Sequence, residues 1–135
     1  MTQPAVIKLS QFISHPPAKV WKALTDLTLH AKWWAAGDVK PVVGHQFQLD
    51  MGKWGRQPCE VLAAEPERLL SYSFSRGMTI TWRLEAEGMG TRLHLEHSGF
   101  DLDSPMGRQA YEGMSNGWPS VLARIEPAID AEPAG

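Results

Sequence analysis

The chain has 135 residues, the length of one domain (residues 1–135), and its 43% hydrophobic and 21% charged residues are ordinary for a globular protein. Thirteen Lys and Arg against fifteen Asp and Glu give a net charge of -2, which argues against a nucleic-acid-binding protein. The single cysteine excludes an internal disulfide. No apolar segment approaches the roughly 20 residues of a membrane helix, and the amino terminus lacks a signal-peptide pattern. We therefore expect a cytoplasmic protein without membrane contact.

The first forty residues predict one strand followed by two short helices. Residues 6–13 alternate apolar and polar side chains, as a half-buried strand does. Pro17 suits a first helical turn, and apolar residues follow it at helical spacing. Asp26 can cap a second helix, which we expect to end at Gly37.

Between Gly44 and Phe100 the apolar period changes to two, which indicates strands. Glycine- and proline-rich segments separate the alternating runs and predict tight turns. About five antiparallel strands, with one face wet, are expected here. They are 46–51, 59–64, 69–75, 79–86 and 91–98.

The last element is a long helix, expected from Pro105 to Glu126 after a Ser104 cap. Pro119 lies inside it and should bend its axis. Burying the apolar stripe of this helix against the apolar sheet face gives an α+β domain. The predicted architecture is a curved antiparallel sheet of about six strands wrapped round the carboxy-terminal helix. A bent helix on a curved sheet leaves a gap that side chains fill or that stays open as a pocket.

Five segments, in order along the chain, carry a family resemblance. They are 14–26 with 33–34, 59–62, 65–66 with 70–73, 90–93 through 97–100, and 117–119. Together they resemble the SRPBCC (START-like, helix-grip) superfamily, and within it the branch named for the activator of heat-shock protein 90 ATPase. The resemblance implies the helix-grip fold but leaves function open, because relatives include lipid carriers, hormone receptors, polyketide cyclases and chaperone co-factors. The hairpin at Arg76-Gly77 is shorter than expected for the family, which removes part of one pocket rim.

Motifs for metal or nucleophilic chemistry are absent from the sequence. The five histidines show no metal-ligand spacing, and His94 and His97 lie three apart on a strand and so face opposite sides. There is no nucleophile elbow, and Cys59 lies mid-strand as a core residue would. We predict no catalytic residue, no metal and no cofactor. A polyketide cyclase-like enzyme, with His97 or Tyr72 as acid–base group, ranks last among the functions considered.

Aromatic and polar side chains share the predicted inward faces of the sheet and the long helix. We expect a cavity between helix and sheet, built as small-molecule sites usually are. Its predicted lining is Phe47, Tyr72, Trp82, His97, Tyr111 and Trp118. Against this stands the alternative that the same rings are ordinary core, with their polar atoms satisfied.

Two function classes follow. The first is a module that binds a small apolar or aromatic molecule in that cavity. The second is a protein-interaction module related to activators of heat-shock protein 90 ATPase, with a chaperone or other protein as partner. Trp34 and Trp54 would then form a partner patch, or else gate the pocket. An open cavity of roughly 300 Å³ favours the first class, and rings that fill the space favour the second. The oligomeric state is left open, with a dimer among the options.

Overall fold

The computed structural model describes residues 5–75 and 77–132. The side chain of Trp54 and the whole of Arg76, two residues singled out above, lie outside the described part. The helices and strands are β1 (Ala5–Ile13), α1 (Pro17–Thr25), α2 (Leu27–Trp33), β2 (Gln46–Asp50), β3 (Arg56–Glu65), β4 (Leu69–Phe74), β5 (Met78–Glu87), β6 (Gly90–Phe100), α3 (Pro105–Ala123) and α4 (Ile125–Asp130). The predicted α+β helix-grip fold is confirmed.

The six strands form one antiparallel sheet in the order β1-β6-β5-β4-β3-β2. Strands β2 to β6 are a meander, and β1 closes the far edge by pairing with the last strand. Alternate residues of β2 and β4 are buried, as the period of two predicts. One face of the curved sheet therefore carries the core, and α3 packs on that side.

A bulge between β1 and β6 changes which side chains reach this inner face. Ile7 pairs with His97, but Ala5 pairs with Phe100, so β6 has one more residue than β1 across this step. Gly99 lies at the extra position with φ of 92°, a conformation that favours glycine. The bulge returns Phe100 to the buried face that His97 already occupies.

The cap predicted for α2 is confirmed, because the Asp26 carboxylate accepts a hydrogen bond from the Leu29 amide at 2.9 Å. The predicted end of this helix at Gly37 is wrong. It ends at Trp33, because the Ala36 carbonyl instead accepts from the Asp50 amide and so ties this segment to β2.

The predicted carboxy-terminal helix also ends earlier than expected, at Ala123, and α4 follows after Arg124. Pro127 explains the break: it has no amide hydrogen for the Ala123 carbonyl, and its ring would meet that carbonyl in a continuous helix. Pro119 does not end α3, which continues for four residues beyond it. None of the helices in the described ranges is long and apolar enough to cross a membrane.

Candidate functional site

The inner face of the sheet places the predicted site residues on neighbouring strands. Tyr72 of β4 pairs with Ile80 of β5, and Ile80 pairs in turn with His97 of β6. Trp82 follows two residues after Ile80, on the same face. The three polar or aromatic side chains are buried, with at most 1% of their surface exposed.

Tyr72 provides the hydrogen-bond acceptor of Trp82. The indole Nε1–H of Trp82 donates to the Tyr72 hydroxyl at 3.0 Å, across neighbouring strands. Burial raises the pKa of Tyr72 well above its usual range, so the phenol is neutral at physiological pH. This pair matches the ordinary-core alternative: both rings are buried, and the indole donor is occupied.

Trp118 connects the helix to the sheet through His97. Its indole Nε1–H donates to His97 Nδ1 at 3.0 Å, from the second half of α3 to β6. An indole nitrogen can only donate, so Nδ1 must be the acceptor and the single proton of a neutral imidazole is on Nε2. Burial lowers the pKa of His97 to about 4, which keeps the ring neutral at pH 7.

The Nε2–H of His97 is the unusual feature of this region. It is a buried donor, and within residues 5–75 and 77–132 it has no hydrogen-bond partner. His30, the other histidine with a lowered pKa, differs in this respect: its Nδ1–H donates to the Ala35 carbonyl at 2.6 Å. An unpaired buried donor costs about 1–3 kcal/mol. The Nε2–H of His97 is therefore the buried polar group of this region that a bound molecule could pair with.

Aromatic rings surround His97. The ring of Phe100 is 4.5 Å from the imidazole between centroids, and those of Phe74 and Trp118 are 5.7 and 5.9 Å away. Tyr111 of α3 contacts Phe100, with 5.3 Å between the two ring centroids, and is partly exposed. Phe47 lies at the other end of the site, 5.3 Å from the Tyr72 ring.

Four indole rings fill the space beneath the second half of α3. Trp33 and Trp82 are 5.7 Å apart, Trp82 and Trp118 5.6 Å, Trp118 and Trp34 4.8 Å, and Trp34 and Trp33 6.0 Å, which closes a cycle. We call this cycle the indole cluster. Trp34 alone among them is partly exposed. In this conformation the gap predicted near Pro119 is therefore occupied by side chains.

The first half of α3 packs differently from the second. Trp118 and Leu122 are buried, whereas residues 105–117 contribute only partly buried side chains such as Ala110, Tyr111 and Met114. Gly113 faces open space, since a Cβ added there would meet nothing within 4 Å. Tyr111 of this first half is connected to His97 through Phe100, whereas Trp118 of the second half contacts His97 directly.

Two open hollows lie away from the indole cluster. One of about 640 Å³ covers the outer side of the sheet, and its polar lining includes Lys8, Arg68, Arg83, Glu85, His94 and Glu96. His94 therefore faces away from His97, as the strand spacing predicts. The other, of about 490 Å³, includes Phe47 together with Gln46, Gln48, Glu60, Ser73 and Ser75. Of the six predicted site residues, Phe47 is the one that these hollows include.

Cys59 is an inert core thiol. It is 4% exposed, and burial raises its pKa to about 12, so the thiolate needed for nucleophilic attack or metal binding is not formed at neutral pH. Over residues 5–75 and 77–132, no three His, Cys, Asp or Glu side chains cluster closely enough to hold a metal ion.

The structure thus unites Tyr72, Trp82, His97 and Trp118 and places Phe47 and Tyr111 at the two ends. The predicted lining did not include Phe100, and Trp34 was predicted only as a gate of the pocket or part of a partner patch. Phe74 shares the inward parity of Tyr72, as the alternation of β4 predicts. Phe100 lies three residues after His97, so simple alternation predicts that it faces the other side of the sheet. Gly99 indicated otherwise, because a glycine inside a strand often marks a bulge. Trp34 carried no periodic signal, since it follows the end of α2.

Comparison with known proteins gives one family match and many structural ones. The family model described as "Activator of Hsp90 ATPase homolog 1-like protein" (AHSA1) matches residues 14–130. A search of curated proteins gave no match.

Solved structures agree with the family match. Protein MLL2253 from Mesorhizobium loti is 36% identical with a TM-score of 0.83, over 96% of this chain and 99% of that one. CalU16 from Micromonospora echinospora is 27% identical with a TM-score of 0.75, over 97% and 82%. The Aha1 dimer from Colwellia psychrerythraea shares the fold at 19% identity, with a TM-score of 0.77 over 96% and 98%. The family resemblance of the five sequence segments is confirmed by these matches, and the chain belongs to the AHSA1 family within the SRPBCC superfamily.

Proposed function

We propose that this protein binds a small apolar or aromatic molecule between the first half of α3 and the sheet, beside His97. The observation that carries the proposal is the buried Nε2–H of His97, which has no partner in the described part of the chain. A ligand acceptor there would recover much of the roughly 1–3 kcal/mol that the unpaired donor costs. The aromatic rings of Phe74, Phe100 and Tyr111 supply the apolar walls.

The packed indole cluster by itself would favour the protein-interaction alternative. Ligand binding stays ahead because the cluster fills the space under the second half of α3, whereas Phe100, whose ring lies against His97, also contacts Tyr111 of the less buried first half. Room for a ligand arises when residues 105–117 move outward while Trp118 and Leu122 stay anchored. Segments with few buried apolar side chains open more readily than a packed core, and binding elements are often found among them.

The experiment is an NMR titration with tetralin, a two-ring hydrocarbon. Binding beside His97 should shift the Trp118 indole N–H signal and the Phe100 amide signal saturably. Ala110→Phe adds a ring where Ala110 packs against the core, and it should weaken tetralin binding about tenfold or more, because overpacking costs about 1–3 kcal/mol. Leu62→Ala is the matched control, because Leu62 is an exposed apolar residue of β3. Saturation without any shift at Trp118, or equal affinity of the Ala110→Phe variant, would refute the proposal.

A further inference from the structure

We infer that the ligand of this site carries an uncharged hydrogen-bond acceptor, such as the carbonyl oxygen of an aromatic or alicyclic ketone, placed against Nε2–H of His97. The inference rests on the proposed function and deepens it from apolar molecules in general to one chemical class. Its basis is the Nε2–H of His97, which the contact with Trp118 identifies as a donor and which has no partner among the residues that the structure describes.

Trp118 determines which ring nitrogen of His97 carries the proton. Because the indole at 3.0 Å can only donate, Nδ1 accepts and Nε2 carries the proton. The alternative tautomer would set two N–H groups against each other across that distance. Nε2 therefore presents a donor, and a ligand group that only donates cannot pair with it.

The surroundings select an uncharged acceptor. The rings around His97 are Phe74, Phe100 and Trp118, and its cross-strand neighbours on β1 and β5 are isoleucines. A carboxylate bound there would lose its hydration and gain one hydrogen bond from a neutral donor. Burying an unpaired charge is far more costly than burying a carbonyl that is hydrogen-bonded.

The test compares 1-tetralone with tetralin, which share a two-ring frame and differ by a carbonyl in place of a methylene. The measured quantity is the ratio of their dissociation constants, in the wild type and in His97→Asn. The amide oxygen of asparagine can still accept from Trp118, but the variant has no donor at the position of Nε2. Dividing the two ratios removes the difference in water solubility between the ligands.

The expected result is a preference for 1-tetralone that is at least about tenfold larger in the wild type than in His97→Asn, the range of one buried hydrogen bond. Tetrahydro-1-naphthoate, the carboxylate analogue, should bind more weakly than 1-tetralone. A ratio of ratios near one would overturn the inference and leave ligand binding intact. Tighter binding of the carboxylate would overturn the requirement for an uncharged acceptor. If neither tetralin nor 1-tetralone binds, the proposed function fails and the inference falls with it.

A second measurement uses the wild type alone, in case His97→Asn does not fold. Nitrogen-15 spectra of the imidazole should show Nε2 protonated and Nδ1 bare, and 1-tetralone but not tetralin should move the Nε2–H signal downfield. A proton on Nδ1 would overturn the inference. A persistent exchange signal between Nε2–H and a bound water, unchanged by 1-tetralone, would overturn it too, since water would then be the partner.

Discussion

Two buried histidines should make the stability of this protein fall steeply in mild acid. Burial lowers the pKa of both His30 and His97 to about 4, from an ordinary value of 6.5. The unfolded chain then binds more protons than the folded one between these values. The stabilisation is complete above pH 6.5 and is lost as the pH falls towards 4.

The magnitude follows from the two pKa values. Each unit of difference corresponds to 1.36 kcal/mol, so each histidine costs roughly 3 kcal/mol once the pH is well below 4. Between pH 7.5 and pH 5.0 the cost is about 2 kcal/mol for each, and about 4 kcal/mol for the two together. Against a typical unfolding free energy of 5–15 kcal/mol, that is a large fraction.

Urea unfolding at these two pH values measures the effect. His97→Asn retains an acceptor for Trp118, and His30→Asn retains a donor for the Ala35 carbonyl, but neither side chain titrates. Each variant should lose about half of the excess pH dependence, and the double variant nearly all of it. The carboxylates and the other histidines contribute equally to every variant and cancel in the differences. A single variant whose stability falls as much as that of the wild type would refute the reasoning for that histidine.

Three further substitutions have effects that unfolding measurements can check. Tyr72→Phe removes the acceptor of the Trp82 indole and should lower the unfolding free energy by about 1–3 kcal/mol; a loss below about 0.5 kcal/mol would mean that the indole finds another acceptor. Gly99→Ala should cost about 2 kcal/mol or more and lower the melting temperature, because φ is 92° and the new Cβ would lie 2.0 Å from the Gly77 carbonyl oxygen. Gly113→Ala, with open space around its Cβ, should instead raise stability by about 0.5–1 kcal/mol; a lower melting temperature would contradict that packing.

Most of the fold could be predicted because its elements have clear periods. The alternation around Tyr72 and Leu93 assigned the inner face of the sheet, and the Asp26 cap located the start of α2. The errors lie where a tertiary contact or a proline acts against the local pattern. Ala36 leaves the helical course to pair with Asp50 of β2, and Pro127 divides the last helix.

The candidate site was harder to predict than the fold. Parity placed Tyr72, Trp82 and His97 on one face, but it could not show which polar atoms are paired. The Tyr72–Trp82 bond and the unpaired Nε2 of His97 depend on side-chain orientations set by distant residues, above all Trp118. The sequence also did not show the register between β1 and β6. Phe100 is three residues after His97, which predicts opposite faces of the sheet, but the bulge at Gly99 turns Phe100 to the inner face.

The indole cluster also has an optical consequence. Its neighbouring rings have centroids within 6.0 Å of each other, so excitation of any one can pass to the others before emission. Light absorbed by the deeply buried Trp82 should therefore leave largely from the ring with the lowest excited state, which is expected to be the partly exposed Trp34. Trp34 is the partly exposed ring of the cluster, so a quencher that reaches it should lower the emission of the other three rings as well.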